Sequence, residues 1–315
     1  MYRNVSARIA QAVPVMLIVA ILTFFLMHML PGDPAVIIAG DQAGPDAVAA
    51  IRHGLGLDRP LPEQLWLWLT HLAHGNFGDS LVLNQPVLQA VTERLPVTLS
   101  LALVAFIITV PVGVGLGMVA AYWRNSWLDS AVMGFALLGV SVPSFWVGTI
   151  SVILFSVNLG WLPTAGYVPI AEGGFGEWFA ALVQPAIVLA LFQIGFLARM
   201  TRSEMLEILD QDFVRTARAK GVSEFATVGK HAFRNTLVSV VTVGGYILSL
   251  LIGGSVVVEQ VFALPGVGRL LVQAIMSRDY PTVQGTMLLL GFAFVLINVL
   301  IDVLYTYLDP RVRYD

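Results

Sequence analysis

The sequence predicts an all-α, polytopic membrane protein with six transmembrane helices, and three observations carry that expectation. Of 315 residues, 57% are hydrophobic and 12% charged, with a mean hydropathy of +0.81, which leaves too little polar surface to coat a soluble globule. Six charge-poor apolar runs reach the roughly 20 residues that a helix needs to cross a hydrocarbon core about 30 Å thick. Twelve of the 17 lysines and arginines fall on one side of those runs and five on the other, the bias that keeps short basic loops in the cytoplasm. Helix is the economical backbone, because an unpaired peptide group in hydrocarbon costs several kcal/mol and the runs are too long and too evenly apolar for barrel strands.

The first run, near Ala10 to Leu30, follows Arg3 and Arg8. It ends in Met29-Leu30-Pro31-Gly32-Asp33-Pro34 without a small-x-small cleavage pattern, so it reads as an uncleaved anchor and not a signal peptide. Residues 31–96 form an outer, periplasmic segment that includes Asp41, Asp46, Asp58 and Glu63. Pro62 before Glu63 marks a helix start, and Trp66 and Trp68 fit either anchoring at the headgroup level or contact with a binding protein. The second run (Val97 to Ala121) contains Pro111, and the third (Ala131 to Val157) contains Pro143; each proline removes a backbone donor and is a candidate kink. The fourth run extends from Phe179 to Ala198. The fifth, Leu237 to Val258, is thinned by Gly244, Gly245, Gly253 and Gly254, which allows close approach of another helix. The sixth, Val283 to Leu308, places Asn298 and Asp302 four residues apart on one face, suited to hydrogen bonding with a neighbouring helix or to an ion path. The expected organisation is an anchor helix at 1–30, the periplasmic segment at 31–96 and a transmembrane domain at 97–315, with both termini in the cytoplasm.

Between the fourth and fifth runs, residues 199–235 mix seven basic residues with Glu204, Glu207, Asp210, Asp212 and Glu224. Leu206, Leu209, Phe213 and Ala217 recur at spacings of three and four, so they share one face of a helix. Gly221 is placed to end that helix, and Ser223 to cap a second one through Phe225, Val228 and Ala232. Two amphipathic helices on the cytoplasmic face can transmit force, or can serve only as a basic loop that sets orientation.

Several function classes are excluded or disfavoured. The net charge of −3 argues for no nucleic-acid partner, and the absence of cysteine removes disulfides, thiol catalysis and thiolate metal sites. Apart from Gln184, Gln193, Asn298 and Asp302 the runs hold almost no polar groups of the kind an ion-coupled carrier uses. The five histidines sit at run ends or in loops, there is no His-Glu-x-x-His motif, and no Gly-x4-Gly-Lys-Ser/Thr loop can cradle nucleotide phosphates. A transporter with neither coupling ion nor nucleotide site is a passive channel or borrows energy from another subunit.

Motifs spread over nearly the whole chain resemble one family. They are Leu30-Pro31-Gly32-Asp33-Pro34, Gly78-Asp79-Ser80, Glu93-Arg94-Leu95-Pro96-Val97-Thr98-Leu99 and Ser141-Val142-Pro143-Ser144-Phe145. Further on come Arg215-Thr216-Ala217-Arg218-Ala219-Lys220-Gly221, His231-Ala232-Phe233-Arg234-Asn235-Thr236-Leu237, Glu259-Gln260-Val261-Phe262 with Pro265-Gly266-Val267-Gly268, and Asp302-Val303-Leu304-Tyr305 with Asp309-Pro310-Arg311. Singly weak and together specific, they resemble DppB-like permeases, the dipeptide/oligopeptide/nickel branch of the ABC importers. The Glu-Ala-Ala that opens the broader signature is here Thr216-Ala217-Arg218, a departure the peptide branch shares.

The resemblance implies a type I ABC importer permease fold, in which a short cytoplasmic coupling helix inserts into a cleft of an ATPase. It implies ATPase-coupling roles for Leu209, Phe213, Arg215, Thr216, Ala217, Arg218, Ala219, Lys220, Gly221, His231 and Arg234. Pathway or packing roles fall to Pro143, Ser144, Gly244, Gly245, Asn298 and Asp302. The implied partners are a homologous second permease, two ATPase subunits that bind ATP-Mg, a periplasmic substrate-binding protein and the bilayer; this chain is expected to bind no cofactor or metal. Dipeptides or short peptides are the implied cargo in a bacterial inner membrane, with nickel complexes or glutathione as alternatives within the family. A stand-alone channel or ion-coupled carrier is the alternative outside it.

Overall fold

The computed structural model describes residues 2–29, 33–39 and 43–308, without the side chains of 2–12, 34, 37, 38, 140, 230, 231, 238 and 302–308. Its helices are α1 (Tyr2–Met29), α2 (Pro34–Ala39), α3 (Pro45–Gly54), α4 (Leu61–Ala73), α5 (Val87–Tyr122), α6 (Trp127–Ser141) and α7 (Ser144–Ser151), which continues as a π-helical stretch Val152–Asn158. There follow α8 (Ile170–Leu209), α9 (Asp212–Ala219), α10 (Glu224–Ala226) with a π-helical stretch Thr227–Ala232, α11 (Phe233–Val261), α12 (Val267–Met276) and α13 (Tyr280–Leu308). Among the described residues the only strand-like pairing is an isolated bridge between Asp79 and Pro86.

Among the described residues, four stretches are long and apolar enough to cross a membrane: Val87–Tyr122, Ile170–Leu209, Ser239–Val261 and Tyr280–Ile301. The expected third span is a broken one, Trp127–Gly139 and Ser144–Asn158, bent by 99°. The apolar part of α1, Val13–Met29, lies at the short end of spanning length. Pro143 does more than kink. It bars the α conformation from Val142, which is extended at φ −94, ψ 125, so α6 stops at Ser141 and Pro143 becomes the residue that opens α7. Pro111, by contrast, leaves α5 continuous.

The chain divides into two compact units, Met1–Val97 with Pro265–Val299, and Thr98–Leu264 with Leu300–Asp315. Pro265–Val299 belongs to the first unit together with Met1–Val97. There, Phe24 of α1 stacks on Trp68 of α4 at 5.9 Å, and His28 lies 2.8 Å from the Phe24 carbonyl and 3.1 Å from Gln64 Oε1. Trp66 is exposed. The buried Asp279 carboxylate accepts from the Ser80 hydroxyl at 2.5 Å, the Thr282 hydroxyl at 2.8 Å and the amides of Leu81 and Thr282. A buried charge is tolerable when its lone pairs are filled in this way. The Gly78-Asp79-Ser80 motif thereby clasps the turn between α12 and α13.

In the second unit, α6, α7 and α11 all pack on α8. Gly245 of α11 permits a close approach: a Cβ there would collide with Ile301. Gly244 meets Phe106 only at ordinary contact distance, and Gly253 faces open space. Glu259 is fully buried and accepts from the hydroxyls of Thr98 at 2.7 Å and Ser255 at 3.0 Å. Gln184 accepts from Ser156 at 2.9 Å and donates to Ser151 at 3.1 Å, tying the π-helical stretch after α7 to α8.

Candidate functional site

Gly174, at φ +71 and ψ −179, breaks the start of α8; from there to Leu209 the unbroken helix is about 52 Å long at about 1.5 Å per residue, well beyond the roughly 30 Å of a hydrocarbon core, so its last turns from Arg199 onward project beyond the span. The helix ends at Leu209, the chain breaks over Asp210 and Gln211, and the eight-residue α9 follows. Gly221 then closes α9 at φ +79. Its N–H donates to Arg218 O at 2.9 Å and the N–H of Val222 to Ala217 O at 3.2 Å, the paired bonds of a Schellman stop. Ser223 caps the next helix by accepting from the Ala226 N–H.

Two expectations are corrected here. The second amphipathic helix is not separate, because α10 runs through the π-helical stretch directly into α11 and forms the base of the fifth span. The face drawn through Leu206, Leu209, Phe213 and Ala217 also fails, since it requires one unbroken helix and the break after Leu209 resets the rotation. Val214, fully buried, takes the inward position and packs with Met205, Ile208, Leu209, Ala121, Val228 and Ala232. Leu209 is spent inside this cluster, whereas Phe213 is 41% exposed and Phe225 81%.

The outer surface of α9 therefore presents Phe213, Arg215, Thr216, Ala219 and Lys220, all exposed, with Ala217 half-buried. Arg215 lies 3.6 Å from Asp212, and the Thr216 hydroxyl donates to Asp212 O at 2.9 Å. Arg218 is partly withdrawn from any partner, because its Nε and Nη2 donate to Glu224 at 3.0 and 2.6 Å. That guanidinium holds the Glu224 carboxyl below its ordinary range, and the carboxylate raises Arg218 in turn. Arg234 is exposed at the start of α11; the side chain of His231 lies outside the described residues.

Sequence reading missed a pair behind this surface. Arg202, in the projecting part of α8, donates from Nε and Nη2 to the two oxygens of Asp129 at 2.5 and 2.6 Å, with side-chain exposures of 24% and 6%. Asp129 also accepts from the Asn125 N–H at 3.0 Å, and Ser126 caps α6 by accepting from the Asp129 N–H. The Ser-x-x-Asp spacing of Ser126 and Asp129 was the available signal, a helix-start signature.

Each pathway candidate has its own local setting. Pro143 and Ser144 are exposed at the break in the third span, and Gly245 serves helix packing. Asn298 donates to Phe294 O of its own helix at 2.8 Å. The side chain of Asp302, and the terminal Asp309-Pro310-Arg311, lie outside the described residues, as do Leu30-Pro31-Gly32. The Oε1 of Gln193 is buried without a hydrogen-bond partner among the described residues.

Known proteins resemble this chain over nearly its whole length. Residues 113–314 match the family described as binding-protein-dependent transport system inner membrane component, and residues 1–102 match its N-terminal companion. A putative peptide transport system permease protein of Brucella abortus (strain 2308) is 67% identical over 308 residues, covering 98% of both chains. The glutathione transport system permease protein GsiC of Salmonella choleraesuis is 43% identical over 314 residues, covering 100% of both. Among solved structures, the inward-facing MetNI methionine ABC transporter aligns with a TM-score of 0.59 at 20% identity, over 70% of this chain and 97% of that one, and so shares the fold.

Proposed function

The chain belongs to the binding-protein-dependent transport inner-membrane components, and from that premise we propose that it is the permease subunit of an ATP-driven importer of dipeptides or short peptides. The observation that carries the reading is α9: a short helix between two spans, seated by buried Val214, closed by Gly221 and presenting Phe213 with Arg215 and Lys220 outward. Such a surface suits insertion into a cleft on an ATPase. Affinity comes from the aromatic ring, because exposed ion pairs contribute only about 0 to 1 kcal/mol each, while covering a Phe side chain contributes about 1.5 to 3 kcal/mol.

In this reading both termini face the cytoplasm, ATP-Mg is bound and hydrolysed by two partner ATPases, and a homologous permease completes the path. A periplasmic binding protein delivers the cargo. Peptide is favoured by the permease relatives at 67% identity; glutathione is the second reading, favoured by the relative at 43%. The test is uptake into proteoliposomes holding the assembled complex, with alanyl-alanine and glutathione as probes. Uptake that requires ATP, the ATPases and the binding protein supports the proposal. Equal uptake by this chain alone overturns it in favour of a stand-alone channel or ion-coupled carrier.

A further inference from the structure

We propose that the Asp129 and Arg202 pair is the joint through which movement of the coupling helix α9 reaches the broken third span. This rests on the permease reading above and adds positioning residues to it. The helix α9 is not hung from a slack loop: Val214 is fully buried among Met205, Ile208 and Leu209 of α8. A push on α9 must therefore carry the projecting end of α8 with it. That end is tied to α6 by the Arg202 fork, whose two short bonds fix direction as well as distance.

Asp129 in turn is locked to the first turn of α6 by the Asn125 N–H and the Ser126 cap, so it cannot swing without unwinding that turn. From there α6 is a 15-residue strut that ends at Ser141, just before Val142 and Pro143, where the span bends by 99°. Apolar helix faces slide past one another by small amounts, but a bidentate pair between buried Asp129 and half-buried Arg202 resists rotation and is screened less by salt than an exposed one. The other ion pairs of this region are more exposed: Arg124 with Asp210 stands at 3.7 Å, and Arg218 with Glu224 is about half open to solvent. The fork is thus the stiff polar link from the α9 socket to the break.

The experiment reads uptake of alanyl-alanine and glutathione and hydrolysis of ATP on the same proteoliposomes of the complete complex. Its variants are Asp129→Asn, Arg202→Lys and the charge reversal Asp129→Arg with Arg202→Asp. We expect the single variants to keep membrane insertion, co-purified ATPase and ATP hydrolysis, while cargo moved per ATP falls by about 5- to 150-fold, the span of ordinary coupling energies. The charge reversal should recover part of that ratio. An unchanged ratio, a parallel loss of uptake and hydrolysis, or loss of the bound ATPases overturns the proposal and leaves the pair a structural clamp. Should Asp129→Asn lower abundance in the membrane, Arg202→Lys keeps the charge, loses the fork and still decides the question. ATP-independent uptake by the wild-type complex, or uptake of neither probe, instead counts against the permease reading, so the two failures are distinguishable.

Discussion

Gly221 sits at φ +79 with open space where a Cβ would lie, so what a side chain meets there is backbone strain and not a neighbour. Left-handed backbone costs an L-residue about 1 to 2 kcal/mol, with Asn the usual exception. We therefore expect Gly221→Val to abolish ATP-dependent uptake and weaken ATPase co-purification with membrane insertion intact, and Gly221→Asn to retain most activity. Adjacent residues in α9 should separate stability from docking. Val214→Ala removes two buried methyl groups and should cost about 2 kcal/mol of stability, measured by thermal unfolding in detergent. Phe213→Ala should leave that stability unchanged and lower ATPase affinity. The Arg218 and Glu224 pair adds a small pH effect. Because the Glu224 carboxyl is depressed in the folded state, its contribution is complete above the ordinary carboxylate value of about 4.5 and is lost as pH falls through the depressed value. Being half exposed, the pair should be worth under about 1 kcal/mol in a double-mutant cycle. Gly221 and Ser223 were legible in the sequence because helix stops and caps are local signals; which of Phe213 and Val214 turns inward was not, because it depends on the break after Leu209.

For the helices, length and hydropathy located the runs, but not how each one behaves. Pro111 and Pro143 look alike in sequence, yet α5 continues through the first and the third span breaks at the second. The glycines of α11 likewise differ by what stands opposite. Gly245→Ala should destabilise by about 1 to 3 kcal/mol because its Cβ overlaps Ile301. Gly253→Ala, facing open space, should stabilise by up to about 1 kcal/mol through helix propensity alone. Thermal unfolding of the two variants in the same detergent checks the opposite signs. Asn298 shows a side chain served by its own helix, its amide donating to Phe294 O one turn back.

For the whole molecule, membership in the permease family and the presence of several spanning helices were readable in the sequence, because apolar run length and motif order are properties of the chain in one dimension. Purified alone, this chain should neither hydrolyse ATP nor import alanyl-alanine, and should gain import only with its ATPases and binding protein; vesicle uptake with and without each component measures this. The long-range pairings inside each unit were not readable. Thr98 meets Glu259, Ser80 meets Asp279, and Arg202 meets Asp129 across separations of 161, 199 and 73 residues. Each depends on how a helix is rotated about its axis, which packing decides collectively and no local pattern encodes. The sequence by itself determined that helices cross the membrane and that a glycine-stopped basic loop lies between two of them. Only the tertiary structure decided which side of that loop is buried and which buried carboxylate grips it from behind.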